Sequence, residues 1–237
     1  MASSSSVSVF DNYRFKTAFN EELYNTIVKN KKVIAECCFD LDDDEYPEVH
    51  EQIALRGWRR LAAPKPEISI DLIHEFYANA IITEEKMEEH GGHTYRSFVR
   101  GVPNDFSFEN IRNVMRFRAQ VQRATTNFET QKEHDQQLDI VLADLCMPGA
   151  TWKLSTGQQR GEDVRAEDII ADKIVRMAQG FKEKGKLGFP STIYKLCKEA
   201  GVPLREFRRT KKIQVEKPIT ARRMESTRLP RQLQHRQ

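Results

Sequence analysis

The stretch DLIHEFYANA (71–80) sets Asp71, His74, Glu75 and Tyr77 within one short run. Acids, an imidazole and a phenol this close are the side chains of general acid–base work and of metal ligation. A zinc-protease helix, however, needs a second histidine four residues after the first. Ala78 stands there, so a metal at His74 lacks a ligand and the pattern fails. At about 100° per residue, Leu72, Ile73, Phe76, Tyr77, Ala80 and Ile81 share one arc, with Asp71, His74, Glu75, Ala78 and Asn79 opposite. The spacing predicts a helix half buried in a core, with its acids in water.

Two other constellations invite a metal. Asp40, Asp42, Asp44 and Glu51 fall on the first, third, fifth and twelfth positions of a calcium loop. The sixth position, where the chain must turn sharply, holds Glu45 instead of Gly, and Pro47 follows, so a solvated acidic loop is expected. His90 and His93 flank a Gly-Gly link, and two ligands on a flexible link make a weak site, so this reads as an exposed loop. Neither a Gly-rich phosphate loop nor a serine nucleophile elbow is found. The four cysteines have no zinc spacing: Cys37 and Cys38 are adjacent, while Cys146 and Cys197 stand alone in apolar helical patterns, so reduced thiols are expected. Catalytic residues, metal and cofactor are therefore all expected to be none, and the chain reads as a non-enzyme.

Charge is the stronger signal. The net charge of +3 hides an asymmetry, because residues 205–237 carry eleven Lys or Arg against three Glu. That tail is +8, and the remainder, with 27 basic and 32 acidic residues, is −5. Within the tail, RRTKK (208–212) and the Arg222-Arg223 pair concentrate Arg208, Arg209, Lys211, Lys212, Arg222 and Arg223. Such clusters neutralise the phosphates of DNA or RNA, or act as nuclear import signals; a merely solvated, disordered tail is the other open reading. Phe207 is the only aromatic residue of the tail, which Ile213 and Val215 also interrupt, so base stacking is not expected. No run approaches the roughly 18 apolar residues of a membrane span, and MASSSSVSVF lacks the basic and apolar regions of a secretory signal. An intracellular location is expected, the nucleus if the basic clusters are import signals and the cytoplasm otherwise. No membrane and no small-molecule substrate is expected.

These groups are positioned by a mainly helical pattern. EELYNTIVKN (21–30) has Leu23, Ile27 and Val28 at helical spacing, and KKVIAECCF (31–39) looks extended. LDDDEYPEV reads as a polar loop, and VHEQIALRGWRRLAA (49–63) as a helix with Ile53, Trp58 and Leu61 on one side, ended by Pro64 and Pro66. TYRSFVRGVPNDFSF (94–108) reads as a short hairpin around Gly101. Ser107 is a good N-cap, with Phe106 and Ile111 placed for a hydrophobic staple. The helix it opens carries Ile111, Val114, Met115 and Val121. A polar connection (122–134), an amphipathic helix (136–147) stopped by Pro148-Gly149, and a polar loop (153–163) follow. RAEDIIADKIVRMAQGF is the next helix. FPSTIYKLCKEAG (189–201) closes the set, with Pro190 in its first turn, Ile193, Leu196 and Cys197 on one face, and Gly201 at its end. The expected fold is mainly α: a single helical domain with a small β-hairpin, flanked by disordered termini.

Five segments in order, IALRGWRRLAAP (53–64), LIHEFYANA (72–80), FVRGVPNDFSFENI (98–111), LADLCMPGATW (142–152) and LGFPSTIYKLCKEAGV (187–202), give a more specific signal. Together they resemble the putative plant transposon protein domain family, found in plant open reading frames derived from transposable elements. The resemblance covers about 15–206, leaving a Ser-rich lead (1–14) and a basic disordered tail (207–237). The domain is shorter between 153 and 188 than the family usually is. The resemblance marks DLIHEFYANA as a packing helix and carries no catalytic residue over to any position here. It implies a module of transposable-element origin; read together with the basic tail, the expectation is a non-enzymatic module that binds nucleic acid or a protein partner through its tail and surface. The other outcomes are a catalytic transposase or integrase subunit, and a decayed element product without selected function.

Overall fold

The computed structural model describes residues 10–40, 47–64, 67–80, 95–118, 165–180, 185–213 and 219–220. The architecture is mainly α, as expected. Among the described residues, seven α-helices and two 3-10 turns surround one antiparallel hairpin and two short parallel strand pairs.

Helix α1 (Ala18–Thr26) opens at Thr17, whose hydroxyl accepts from the Asn20 amide, and buries Leu23. After a 3-10 turn (Val28–Asn30), strand β1 (Lys32–Val33) runs parallel to β5 (Lys186–Leu187). The pairing continues one residue further, where the Ile34 amide donates to the Leu187 carbonyl at 2.8 Å. Strand β2 is Phe39–Asp40.

The helix expected over 49–63 is two helices. Helix α2 (Pro47–Arg56) starts two residues early, with Pro47 at the first helical position, where a missing N–H costs nothing. The chain breaks at Gly57, which takes φ +73, and α3 (Arg59–Ala62) follows. The physical reason is a close approach: a Cβ on Gly57 would stand 2.7 Å from the Arg116 carbonyl oxygen. Ile53, Trp58 and Leu61 are nevertheless all buried, so the expected apolar side survives the break.

Helix α4 (Ile70–Asn79), the DLIHEFYANA helix, is capped by Ser69, whose hydroxyl accepts from the Leu72 amide. It corrects the expectation drawn from its periodicity. Every residue from Leu72 to Asn79 is buried, including the supposedly wet arc of His74, Glu75, Ala78 and Asn79. The apolar arc faces the core as expected. The polar arc is covered by the hairpin, by α1 and by the chain leading into α1.

That hairpin is the predicted one, β3 (Arg96–Val99) against β4 (Val102–Asp105), with Val99 opposite Val102. Its two-residue turn, Arg100-Gly101, has positive φ at both positions, the primed geometry that matches strand twist. Helix α5 (Phe108–Met115) follows, with Ser107 as N-cap and Phe106 and Ile111 both buried, as predicted. Helices α6 (Ala166–Gln179) and α7 (Pro190–Glu199) pack against α5. In α7, Pro190 is the first residue, Ile193, Leu196 and Cys197 are buried, and Gly201 (φ +87) follows the end.

The flanks expected to be disordered are ordered chain over their described residues. Residues 10–14, assigned to the lead, make defined bonds, and Phe15 is buried. Past α7, a 3-10 turn (Leu204–Phe207) buries Phe207, and Ile213 is buried six residues later. Strand β6 (Ile219–Thr220) then pairs in parallel with β2. The basic tail therefore begins as packed chain, because its few large apolar residues anchor it to the core.

Val121, the helix at 136–147 with Cys146, the LADLCMPGATW segment (142–152), the loop at 153–163, Asp42, Asp44, His90, His93, Arg222 and Arg223 lie outside the described residues. No helix among the described residues is long and apolar enough to cross a membrane.

Candidate nucleic-acid interface

The basic segment 208–212 is held by a polar network that starts on α4. The Glu75 side chain is fully buried and pairs with Arg14 (Nε to Oε1, 2.8 Å). Arg100 grips both of its oxygens, Nε to Oε2 and Nη2 to Oε1, each at 3.0 Å. This fork explains why an arginine occupies the left-handed position of the hairpin turn. Burial raises the Glu75 pKa more than the two guanidiniums lower it. One helical turn on, the Asn79 amide donates to the carbonyls of Arg14, Glu75 and Phe98, and its oxygen accepts from the Lys16 amide. Glu75 and Asn79 thus close the chain lead and the hairpin onto α4.

The same arginine reaches the C-terminal segment. Arg100 Nη1 lies 3.2 Å from Glu206 Oε2, and its guanidinium sits 4.7 Å over the Phe207 ring. The Tyr13 hydroxyl donates to Glu206 Oε1 at 2.6 Å, so lead and tail meet on the hairpin turn.

Beyond Phe207 the chain crosses the start of α4. The Ile70 amide donates to the Lys211 carbonyl (2.9 Å), the Ile213 amide donates to the Ile68 carbonyl (2.9 Å), and Ser69 bridges to Lys212. The Thr210 hydroxyl donates to Ser69 Oγ (2.6 Å). Pinned at both ends, the segment exposes Arg208, Arg209 and Lys211. No carboxylate among the described residues pairs with these three. Lys212 is half-buried and donates through Nζ to the Phe207 carbonyl (2.9 Å), so its charge helps to fold the turn. Three of the four described basic candidates therefore face solvent together. Ser69 and Thr210, which position them, carried no local sequence signal, since their bond spans 141 residues.

The other chemical candidates are used structurally. His74 donates Nε2–H to the Lys31 carbonyl at 3.0 Å, and burial lowers its pKa, which keeps the ring neutral. The Tyr77 hydroxyl donates to the Gly188 carbonyl (3.0 Å), and burial pushes its pKa far up. Glu36, which no sequence pattern singled out, is buried at the N-terminus of α7. Its carboxylate accepts from the amides of Ser191 (2.9 and 3.0 Å) and Thr192 (3.1 Å). Phe189 precedes that helix in a left-handed conformation and caps nothing, so a distant carboxylate does the capping. Burial raises the Glu36 pKa against these amides. Cys37 and Cys197 are buried thiols, and burial raises the Cys197 pKa. Among the described residues, no three His, Cys, Asp or Glu side chains are placed to hold a metal ion.

Residues 54–160 match the model of the putative plant retrotransposon-related domain. No curated protein and no solved structure matches the chain. The match begins in the last turn of α2, includes α3 to α5 and ends before α6, so the basic segment at 208–212 lies beyond it.

Proposed function

We propose, from a chain that carries a plant retrotransposon-related domain, that the protein is a non-enzymatic module binding nucleic acid through the phosphate backbone. Arg208, Arg209 and Lys211 make the contact, extended along the tail by Arg222 and Arg223. One observation carries the reading: the three exposed cations sit between two buried anchors, Phe207 and Ile213, and their backbone is bonded to the start of α4. A segment held in this way loses little further conformational freedom on binding, so more of the counterion-release gain reaches the affinity.

Phosphate contacts of this kind position a protein without reading bases, so binding is expected to be indifferent to sequence. The test is the fluorescence anisotropy of a labelled 20-base-pair DNA duplex with the full chain, titrated at several salt concentrations. Arg208→Ala/Arg209→Ala/Lys211→Ala should flatten log K against log salt by about 2.7, at about 0.9 for each phosphate no longer neutralised. An unchanged slope would remove the segment from the interface. Metal-dependent cutting of the duplex, abolished by one carboxylate change, would instead support a catalytic transposase or integrase.

A further inference from the structure

The body of the protein is acidic overall, yet the fold brings arginines from two distant turns together. Arg56 and Arg59 flank the break at Gly57, while Arg116 and Arg118 leave the end of α5. The Arg118 amide donates to the Arg56 carbonyl at 3.0 Å, and the absence of a Cβ on Gly57 is what admits the Arg116 carbonyl. Nearby arginines have structural work: Arg60 donates to the Val114 carbonyl, and Arg112 pairs with Glu167 at 2.7 Å. Arg59, Arg116 and Arg118 are exposed, and no carboxylate among the described residues pairs with them. Arg116 also sits at φ +58 and ψ +39, a left-handed position that favours glycine. Strain retained at a residue whose side chain makes no ion pair among the described residues marks that side chain as useful outside the fold.

We infer that Arg59, Arg116 and Arg118 form a second polyanion-binding surface, built into the retrotransposon-related domain itself, whose ligand is the phosphodiester backbone of a nucleic acid. Guanidiniums suit it because each presents a fork of donors to phosphate oxygens. The surface lies within residues 54–160, whereas the segment at 208–212 lies outside, so neither depends on the other. Several separated contacts along one backbone add their counterion release and steepen the salt dependence.

The experiment uses the full chain and a 20-base-pair DNA duplex in two backgrounds, wild type and Arg208→Ala/Arg209→Ala/Lys211→Ala. Adding Arg59→Ala/Arg116→Ala/Arg118→Ala should flatten the salt slope by about 2.7 in both. If the slope is unchanged in both, the surface is not a nucleic-acid site, whatever the tail does. Arg116→Gly separates binding from folding: relief of the left-handed strain should raise the melting temperature while the slope falls by about 0.9. Weaker binding with a lower melting temperature would instead make Arg116 structural and overturn its role. Polyglutamate serves as the competitor. Failure to displace the duplex at equal charge supports a phosphate site, whereas efficient displacement indicates an acidic protein partner and overturns the assignment.

Discussion

Gly57 and Gly201 offer a matched pair of perturbations, since both hold positive φ, +73 and +87, but differ in what a methyl group would meet. A left-handed backbone costs a non-glycine residue about 1–2 kcal/mol, and Gly57→Ala and Gly201→Ala share that cost. At Gly201 a Cβ meets nothing within 4 Å, so the strain is the whole effect. At Gly57 the Cβ would stand 2.7 Å from the Arg116 carbonyl oxygen and 3.0 Å from the Arg118 amide nitrogen. Both are backbone atoms and neither can rotate away. The α2–α3 turn must withdraw from the end of α5, straining the packing and the Arg118-to-Arg56 hydrogen bond. Overpacking of this kind costs about 1–3 kcal/mol and a broken hydrogen bond about 0.5–1.5 kcal/mol, so Gly57→Ala should exceed Gly201→Ala by about 2–4 kcal/mol. Urea unfolding followed by circular dichroism measures both. Equal losses, within about 0.5 kcal/mol, would refute the close approach and with it the reason the two arginine turns meet.

Phe207→Ala should cost about 3–5 kcal/mol in the same assay and make the chain after residue 204 sensitive to trypsin; resistance would show that another anchor holds it. Glu36→Ala leaves the Ser191 and Thr192 amides without their acceptor, at about 2–4 kcal/mol, with early hydrogen exchange localised to the start of α7. For Glu75, burial places the folded pKa above the unfolded one, so its contribution is full below the ordinary carboxylate value and is lost as pH rises through the folded pKa. The difference in urea midpoint between wild type and Glu75→Gln should accordingly move in favour of wild type as pH is lowered from 7 toward about 4.5. A shift the other way would mean that Arg14 and Arg100 outweigh burial.

Much of the scaffold was legible from local pattern. Thr17, Ser69 and Ser107 sit where short-range capping rules place them, though only Ser107 stood out in the sequence, and Gly101 marked the hairpin turn. The apolar arc of α4 was equally clear. Its opposite arc was misjudged because periodicity reports which residues are polar, not whether something covers them. The cover comes from residues 14–20, 31 and 96–100, far away in sequence, and it gives the buried side chains of His74, Glu75 and Asn79 their partners. A signal was present in the Glu-x-x-x-Asn spacing of 75 and 79, two polar residues one helical turn apart beside bulky aromatics. The two-residue strands were too short to leave any alternation, so the pairing of β1 with β5 and of β2 with β6 was invisible. The basic cluster was found by charge counting. That its chain is fixed by Phe207 and Ile213 was not, because a single aromatic in a charged tail carries no periodicity.

Chemical footprinting of the full chain reads the proposed contact directly. Acetylation of Lys211 and phenylglyoxal modification of Arg208 and Arg209 would be followed by mass spectrometry, with and without a DNA duplex, using exposed Lys16 as an internal reference. All three residues should be protected by DNA at low salt and released at high salt, while Lys16 reacts equally throughout. Full reactivity of the three in the presence of saturating DNA would contradict the account.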